Sequence, residues 1–382
     1  MKLVFALLLF SSGLAGFGQN FNPAIGIASN NLNNGVAHIQ KFEELGIKEP
    51  GSQPLNDTRD WLINTYKSFG YDSILIDSFV YGGFNLQNLV IRKQGLVDEF
   101  LVVCSHYDTK SGVGANDNGT GVSATLQIAE VLANLTTNRS VVFIHFSAEE
   151  PGFVGSYHFV NNTLSSIPGE LYAVINLDQI GGTIGEEGND KIYCERDEIT
   201  TPSENDALSS RITDTIFNLA KLYTSLTPVV SGAFSSDYIP FQEKGHVITG
   251  LYQYGRNPYV HTIADSAYRI DTLSFKEASK LAAASVMHFA QIPQFISVKD
   301  LEKQMSVIQN SSGNWEISVS DFNANRDVIT VFDAMGRKVI EHNVIQQRSL
   351  IDTDNLNSGV YFIYFQSQNS IGLSKVILNH HN

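Results

Sequence analysis

His106 and Asp108 close the apolar run FLVVCSH, and the glycine-rich stretch SHYDTKSGVGANDNGTG, residues 105–121, carries Asp117 a little further on. Positions two apart on a strand face the same side, so this imidazole and this carboxylate leave the sheet together. A ligating histidine commonly has a carboxylate on its second ring nitrogen, a task the His-x-Asp spacing assigns to Asp108. Three more segments end in comparable groups: RSVVFIHFSAEE in Glu149 and Glu150, ELYAVINLDQ in Asp178, and NPYVHTIADS in His261 followed by Asp265. Adjacent carboxylates repel unless a cation or a shared proton relieves them. Two histidines and three carboxylates at separate strand ends can hold two divalent metal ions, because imidazole and carboxylate suit zinc and one carboxylate can bridge. Such a pair sits roughly 3.5–4 Å apart and lowers the pKa of a trapped water to about 7. One carboxylate must stay off the metals to accept a proton, and in a glutamate pair one can ligate while the other reaches the water. Singly, each feature has a plainer reading. A glycine loop can be solvated around one satisfied histidine, and acidic residues suit helix N-termini, where Asp265 would simply cap the helix that follows. Their joint occurrence favours the metal site.

The elements that must position these groups are legible as an alternation. Helical spacing appears in NNGVAHIQKFEEL and NDTRDWLINTYKSFG, the latter with Asn56, Asp57 or Thr58 as an N-cap and Gly70 after the last turn. Strand-like runs follow (DSILIDSFVYG, QNLVIRKQG, DEFLVVCSH), then the helix GTGVSATLQIAEVLANL and the strand RSVVFIHFSAEE. A short helical stretch, GSYHFVNN, leads to the strand ELYAVINLDQ; two more helices, DALSSRITDTIFNLAKLY and SFKEASKLAAASVMHFAQI, flank the strand HVITGLYQY. Continuous apolar strands alternating with helices imply an α/β fold, a mixed but mainly parallel central sheet flanked by helices on both faces. Function then belongs at the carboxyl ends of the strands. Beyond Ile292 the texture changes to short alternating runs separated by turn residues, such as WEISVSDF and VYFIYFQSQ, which predict a small all-β sandwich. The expected organisation is a signal peptide over 1–18, a catalytic domain over 19–292, a linker over 293–305 and the β-sandwich over 306–382.

Composition narrows the function classes. The 382 residues are 43% hydrophobic and 17% charged, as in ordinary globular proteins. With 39 acidic against 25 basic residues the net charge is −14, so no basic excess exists to neutralise phosphates, and nucleic acid or acidic membrane surfaces are not expected partners. MKLVFALLLFSSGLAGFGQ has the charged start, apolar run and small-residue end of a secretory signal, and no later segment is apolar for long enough to span a membrane. Two cysteines, Cys104 and Cys194, do not make a disulfide scaffold; a bridge between them is open but unsupported, and Cys104 is expected to fill core space.

The set HYDT, GANDNGTGVSATLQIAEVL, FSAEEPGFVGS, NLDQIGG, SSDYIPF and NPYVHTIADS, between about Leu32 and Ala290, resembles the secreted co-catalytic zinc aminopeptidases, the family of bacterial leucyl aminopeptidase. The resemblance implies His106 and Asp178 on one zinc, Glu150 and His261 on the other, and Asp117 bridging. It implies Glu149 as general base, Asp108 as the residue orienting His106, and hydrolysis of peptides with a free N-terminus. Tyr238 stands where relatives often carry His after Ser-Asp, which leaves it a candidate hydroxyl donor to the tetrahedral intermediate; His246 and Val247 replace a common Ile-Pro. Phe234, Phe241, Tyr252 and Tyr254 are candidates for a side-chain pocket, with packing the plainer role for at least half of them.

FDAMGRKV, LNSGVYFIYFQ and GLSKVIL, between about Ser306 and Leu378, resemble the sorting domain of type IX secretion. That implies the type IX machinery as a partner and export through the periplasm of a Gram-negative bacterium to the surface or the medium. A generic β-sandwich is the alternative. Glutaminyl cyclisation on the same fold, and a lapsed non-catalytic surface binding module, are the competing functions. The full set His106, Asp117, Glu150, Asp178 and His261 with Glu149 argues against both.

Overall fold

A computed structural model describes residues 22–198, 202–292, 305–310, 313–319, 327–333, 338–366 and 371–378. The expected signal peptide and nearly all of the expected linker lie outside them.

Helices α1 (Pro23–Asn30), α2 (Gly35–Glu44) and α3 (Gln53–Ser68) precede strands β1 (Ile74–Tyr81), β2 (Phe84–Lys93) and β3 (Glu99–His106). Then come α4 (Gly119–Ala133), β4 (Ser140–Phe146), α5 (Val154–His158), β5 (Glu170–Leu177), β6 (Lys191–Arg196), α6 (Asp206–Tyr223), β7 (Thr227–Gly232), α7 (Ile239–Gln242), β8 (Ile248–Gln253) and α8 (Thr272–Phe289). The eight strands form one sheet in the order β1-β2-β4-β3-β5-β8-β6-β7. The pairs β3/β4, β3/β5, β5/β8 and β6/β7 are parallel; β1/β2, β2/β4 and β6/β8 are antiparallel. The sheet is therefore mixed and mainly parallel, as its apolar runs imply.

Period-two alternation divides the core between the two faces. Leu101, Val103, Val141 and Phe143 meet the long helices α3, α4, α6 and α8, whereas Phe100, Val102, Cys104, Val142 and Ile144 meet Phe159, Tyr238 and Phe241 from short helical segments. Helices lie on both faces, but the long ones crowd one of them.

Two readings are corrected, and the expectation that Cys104 fills core space holds. Helix α3 starts earlier than its spacing suggests: Ser52 is the N-cap, accepting from the Leu55 N–H at 3.2 Å, and Asn56, Asp57 and Thr58 are inside the helix. Strands β6 and β7 went unread, because KIYCER and TPVVSG are short and interrupted by polar residues or proline. Cys104 and Cys194 are buried free thiols. Two strands separate theirs, a spacing of about 14 Å, beyond the reach of a disulfide, and their side chains belong to opposite faces.

The C-terminal unit has strands β9 (Met305–Gln309), β10 (Trp315–Val319), β11 (Val328–Asp333), β12 (Lys338–Asn343), β13 (Arg348–Ile351), β14 (Gly359–Gln366) and β15 (Ile371–Leu378). They form sheets β13-β10-β9 and β12-β11-β14-β15, and Trp315 and Ile317 of one share a core with Ile329, Val331, Ile363 and Phe365 of the other. That is a sandwich.

Candidate metal centre

The order β4-β3-β5-β8 sets four parallel carboxyl ends side by side, and each is followed by a candidate residue. His106 ends β3, Glu149 and Glu150 follow β4, Asp178 follows β5, and His261 lies in the loop after β8 with a left-handed φ of 56°. Asp117 reaches the same place through the loop before α4, where the Asp117–Asn118 peptide is cis.

Two triads share Asp117: His106, Asp117 and Asp178 form one, Asp117, Glu150 and His261 the other, with ligand atoms within 4.8 Å of each other in each. Asp117 Oδ1 stands 3.3 Å from His106 Nε2 and Oδ2 3.3 Å from His261 Nε2, so its two oxygens serve different triads. Asp178 Oδ1 is 3.5 Å from His106 Nε2, and Glu150 Oε2 is 2.9 Å from His261 Nε2. Asp178 Oδ1 and Glu150 Oε1 are buried with no hydrogen-bond partner. Buried carboxylates facing one another have no donor among themselves and are unstable without a cation, so the donor set and its orphaned oxygens fit a pair of divalent ions. Histidine nitrogens with carboxylate oxygens are a zinc set.

The surroundings orient these ligands. His106 Nδ1 lies 3.1 Å from the Asp108 carbonyl; a carbonyl only accepts, so Nδ1 carries the proton and Nε2 is left to ligate. The Asp108 carboxylate, 3.8 Å from that nitrogen, instead accepts the N–H groups of Glu149 at 3.0 Å and Glu150 at 3.2 Å. The orienting bond expected from the side chain of Asp108 thus comes from its backbone, and its carboxylate fixes the glutamate turn. Asp265 is no helix cap: it accepts the N–H of Asn116 at 3.0 Å and of Asp117 at 2.9 Å, while Asp271 caps α8. Asn116 and Asn118 bolt the Asp117 loop to the loop after β5, through Gly181 N–H to Asn116 Oδ1 and Asn118 Nδ2 to the Leu177 carbonyl. The contact is close enough to demand glycine, since a Cβ on Gly121 would stand 2.2 Å from the Leu177 oxygen.

Glu149 belongs to neither triad, its Oε2 lying 4.0 Å from His106 Nε2. Burial pushes its carboxyl well above the usual range, Asp237, Asp178 and Asp108 add to that, and His106 opposes it. Burial pulls the His106 imidazole down, but Glu149, Asp117 and Asp178 outweigh it and hold the pKa well above normal. Asp237, fully buried beside them, is pushed up to about 7, chiefly by burial.

Tyr238 is not a free donor. Its ring is buried in the core and its hydroxyl donates to Glu195 Oε1 at 2.7 Å. Phe241 is likewise core, whereas Tyr254, Tyr193, Phe234 and Tyr252 form a string of ring contacts at 4.8, 5.7 and 5.1 Å. His246 lies against Phe241 and outside both triads. Glu195, Asp237 and Lys48 escaped the sequence reading. Asp237 was visible inside SSDYIPF; Glu195 sits in the unread strand β6. A cavity of about 690 Å³ lined by Arg139, Arg211 and His288 holds no member of either triad.

The model described as Peptidase family M28 matches residues 88–286, a span that contains both triads. The chain belongs to this family. Residues 309–379 match a second model, Secretion system C-terminal sorting domain. Among relatives of this M28 chain are Aminopeptidase YwaD of Bacillus subtilis, 29% identical over 54% of the chain and 44% of that protein, and an aminopeptidase of Pseudomonas aeruginosa, 30% identical over 42% and 29%. The chain thus spans less than half the length of these curated relatives. In fold it is similar to the LapA aminopeptidase of Legionella pneumophila, with TM-score 0.60 and 20% identity over 75% of this chain and 80% of that one. It is equally similar to a glutaminyl cyclase of Macrostomum lignano, with TM-score 0.61 and 18% identity over 75% and 98%.

Proposed function

We propose that this M28 chain is a metal-dependent aminopeptidase with a dinuclear zinc site. The observation that carries the reading is Asp117, which turns one oxygen to each triad while Glu149 stands beside His106 without joining either triad. His106 and Asp178 would hold one ion, Glu150 and His261 the other, and Asp117 both. Zinc held there would supply Lewis-acid polarisation of the scissile carbonyl and acidification of a water. The chain's own work is proton handling and positioning. Glu149 takes the water's proton on its carboxylate and returns it to the leaving amine, a role favoured by the high proton affinity its burial creates. Asp108 keeps Glu149 at that station through the backbone N–H it accepts. The substrate's free α-amine rests against the acidic rim.

The sorting domain makes type IX export the route, with the enzyme released or held at the surface of a Gram-negative cell. Among the described residues no helix is long and apolar enough to cross a membrane.

The test is release of amino acids from matched free and N-acetylated peptides, with and without chelator. Release that needs the free amine and stops on chelation supports the reading. Indifference to acetylation contradicts it, and conversion of N-terminal glutamine to a cyclic product without release moves the reaction to glutaminyl cyclisation.

A further inference from the structure

The two oxygens of Asp178 have different surroundings. Oδ1 is buried without a hydrogen-bond partner and lies 3.5 Å from His106 Nε2. Oδ2 accepts the Ser236 hydroxyl at 2.9 Å. A serine oxygen has one proton to give and two lone pairs that accept, and Asn176 fills one of those lone pairs, its Nδ2 donating at 2.9 Å. Asn176 Oδ1 in turn accepts the Cys104 thiol at 3.3 Å. Three donors therefore point one way, from the core at β3, across β5, to the carboxylate.

The strands dictate this row. Cys104 on β3 is the register partner of Asn176 on β5, and Asp178 follows Asn176 by two residues, which sends both side chains to the same side. Ser236 arrives from the loop between β7 and α7. Asn176 is 1% exposed and Ser236 3%, so neither takes its partners from open solvent. With its oxygen on the thiol, the Asn176 amide must turn its N–H groups to the serine; the reverse would set an acceptor against Ser236 and draw the hydroxyl proton away from Asp178.

Asn176, Ser236 and Asp178 also line a second cavity, of about 200 Å³. A hydroxyl beside a cavity is free to rotate into it unless a donor fixes its lone pairs, and Asn176 supplies that donor. Glu150, the counterpart of Asp178 in the other triad, has no such support: its Oε1 is buried without a partner and its Oε2 faces His261. The row serves one triad only.

Building on the dinuclear reading, we propose that Asn176, whose side chain bonds to no member of either triad, is a positioning residue for the ion held by His106 and Asp178. Through Ser236 it keeps Asp178 Oδ2 occupied and leaves Oδ1 to ligate, which strengthens the binding of that ion and not of its neighbour. Partners standing behind a metal ligand typically carry about 10–100-fold in affinity.

The experiment strips the full-length protein of metal and titrates zinc against a chromophoric chelator, with His106→Ala marking the equivalent that belongs to that triad. Asn176→Leu keeps the volume and removes both polar ends. Expected is that the marked equivalent binds about 10–100-fold more weakly while the other is unchanged. Ser236→Ala should show the same selective loss, and the double variant should lose no more than Ser236→Ala alone, because the two act along one route. Losses that add, losses shared equally by both ions, or a marked equivalent as tight as in the parent overturn the proposal and make Asn176 a packing residue, leaving the aminopeptidase reading in place. A parent that takes up fewer than two equivalents contradicts the dinuclear reading instead. The same comparison is then made on a single ion that His106→Ala abolishes, and without such an ion the positioning role falls too. Where Asn176→Leu fails to fold, Asn176→Ala makes the same comparison.

Discussion

Glu149 and Glu150 are neighbours in the chain with different tasks, and the difference comes from one carboxylate behind them. Asp108 takes an N–H from each and so sends Glu150 to His261 and leaves Glu149 beside His106. Replacing Glu149 with Gln keeps the volume and removes the proton acceptor. Turnover is expected to fall about 10²–10⁴-fold, with the zinc content measured by elemental analysis unchanged; loss of zinc would make Glu149 a ligand instead. Asp108→Asn should act differently, since its amide nitrogen would confront one of the two N–H donors. A stability loss of about 1–3 kcal/mol and zinc binding weakened about 10–100-fold are expected, read by thermal unfolding and by titration against a competing chelator. Zinc bound as tightly as in the parent would refute the positioning role. The residue types of the centre could be read from the strand ends. The partner of each Asp108 atom could not, because spacing tells which side a group faces and not which neighbour reaches it first.

At the scale of elements, the parallel strands placed the site, and the helix before them secures its loops. Glu43, at the end of α2, accepts the Ala267 N–H at 2.9 Å and bonds the Ser266 hydroxyl, just past the His261 loop. Lys48 is buried beside the Asp117 loop, where its ammonium donates to the Gly46 carbonyl at 2.6 Å and the Val113 carbonyl at 2.9 Å and lies 3.8 Å from the Phe42 ring centroid. Burial lowers its pKa to about 7, against the pull of Glu43 and Asp265. Lys48→Met should keep the packing and free two carbonyls. Expected is a stability loss of about 1–3 kcal/mol in chemical denaturation, together with a higher KM from a looser Asp117 loop; a variant equal to the parent in both would detach α2 from the site. None of this was readable beforehand: GIKEP looks like an ordinary surface turn, and only the fold shows that it closes over residues 109–113. Strands β3, β4, β5 and β8 were readable because both their faces are buried, whereas β6 kept its polar Glu195 and hid.

For the molecule as a whole, the proposed dinuclear site predicts that metal loading is a condition of stability, since the net charge is −14 and carboxylates cluster at its centre. In chelated protein Glu150 is pushed from 4.5 to about 7, first by burial and then by Asp117, and Glu149 is raised as well. A carboxyl held above its unfolded value adds stability that is complete below the unfolded pKa and is lost as pH rises through the folded one. The metal-free chain should therefore weaken between about pH 5 and 8, by up to about 3 kcal/mol from Glu150 alone. His145, buried and pushed down to about 3, works the other way, costing stability as pH falls below its ordinary value of 6.5. It lies outside both triads, so it affects zinc-loaded and chelated protein alike and cancels in their difference. The difference in unfolding free energy between the two forms, measured at matched pH, is expected to widen as pH rises. A gap that stays constant or narrows would mean that the buried carboxylates do not share their site with a cation.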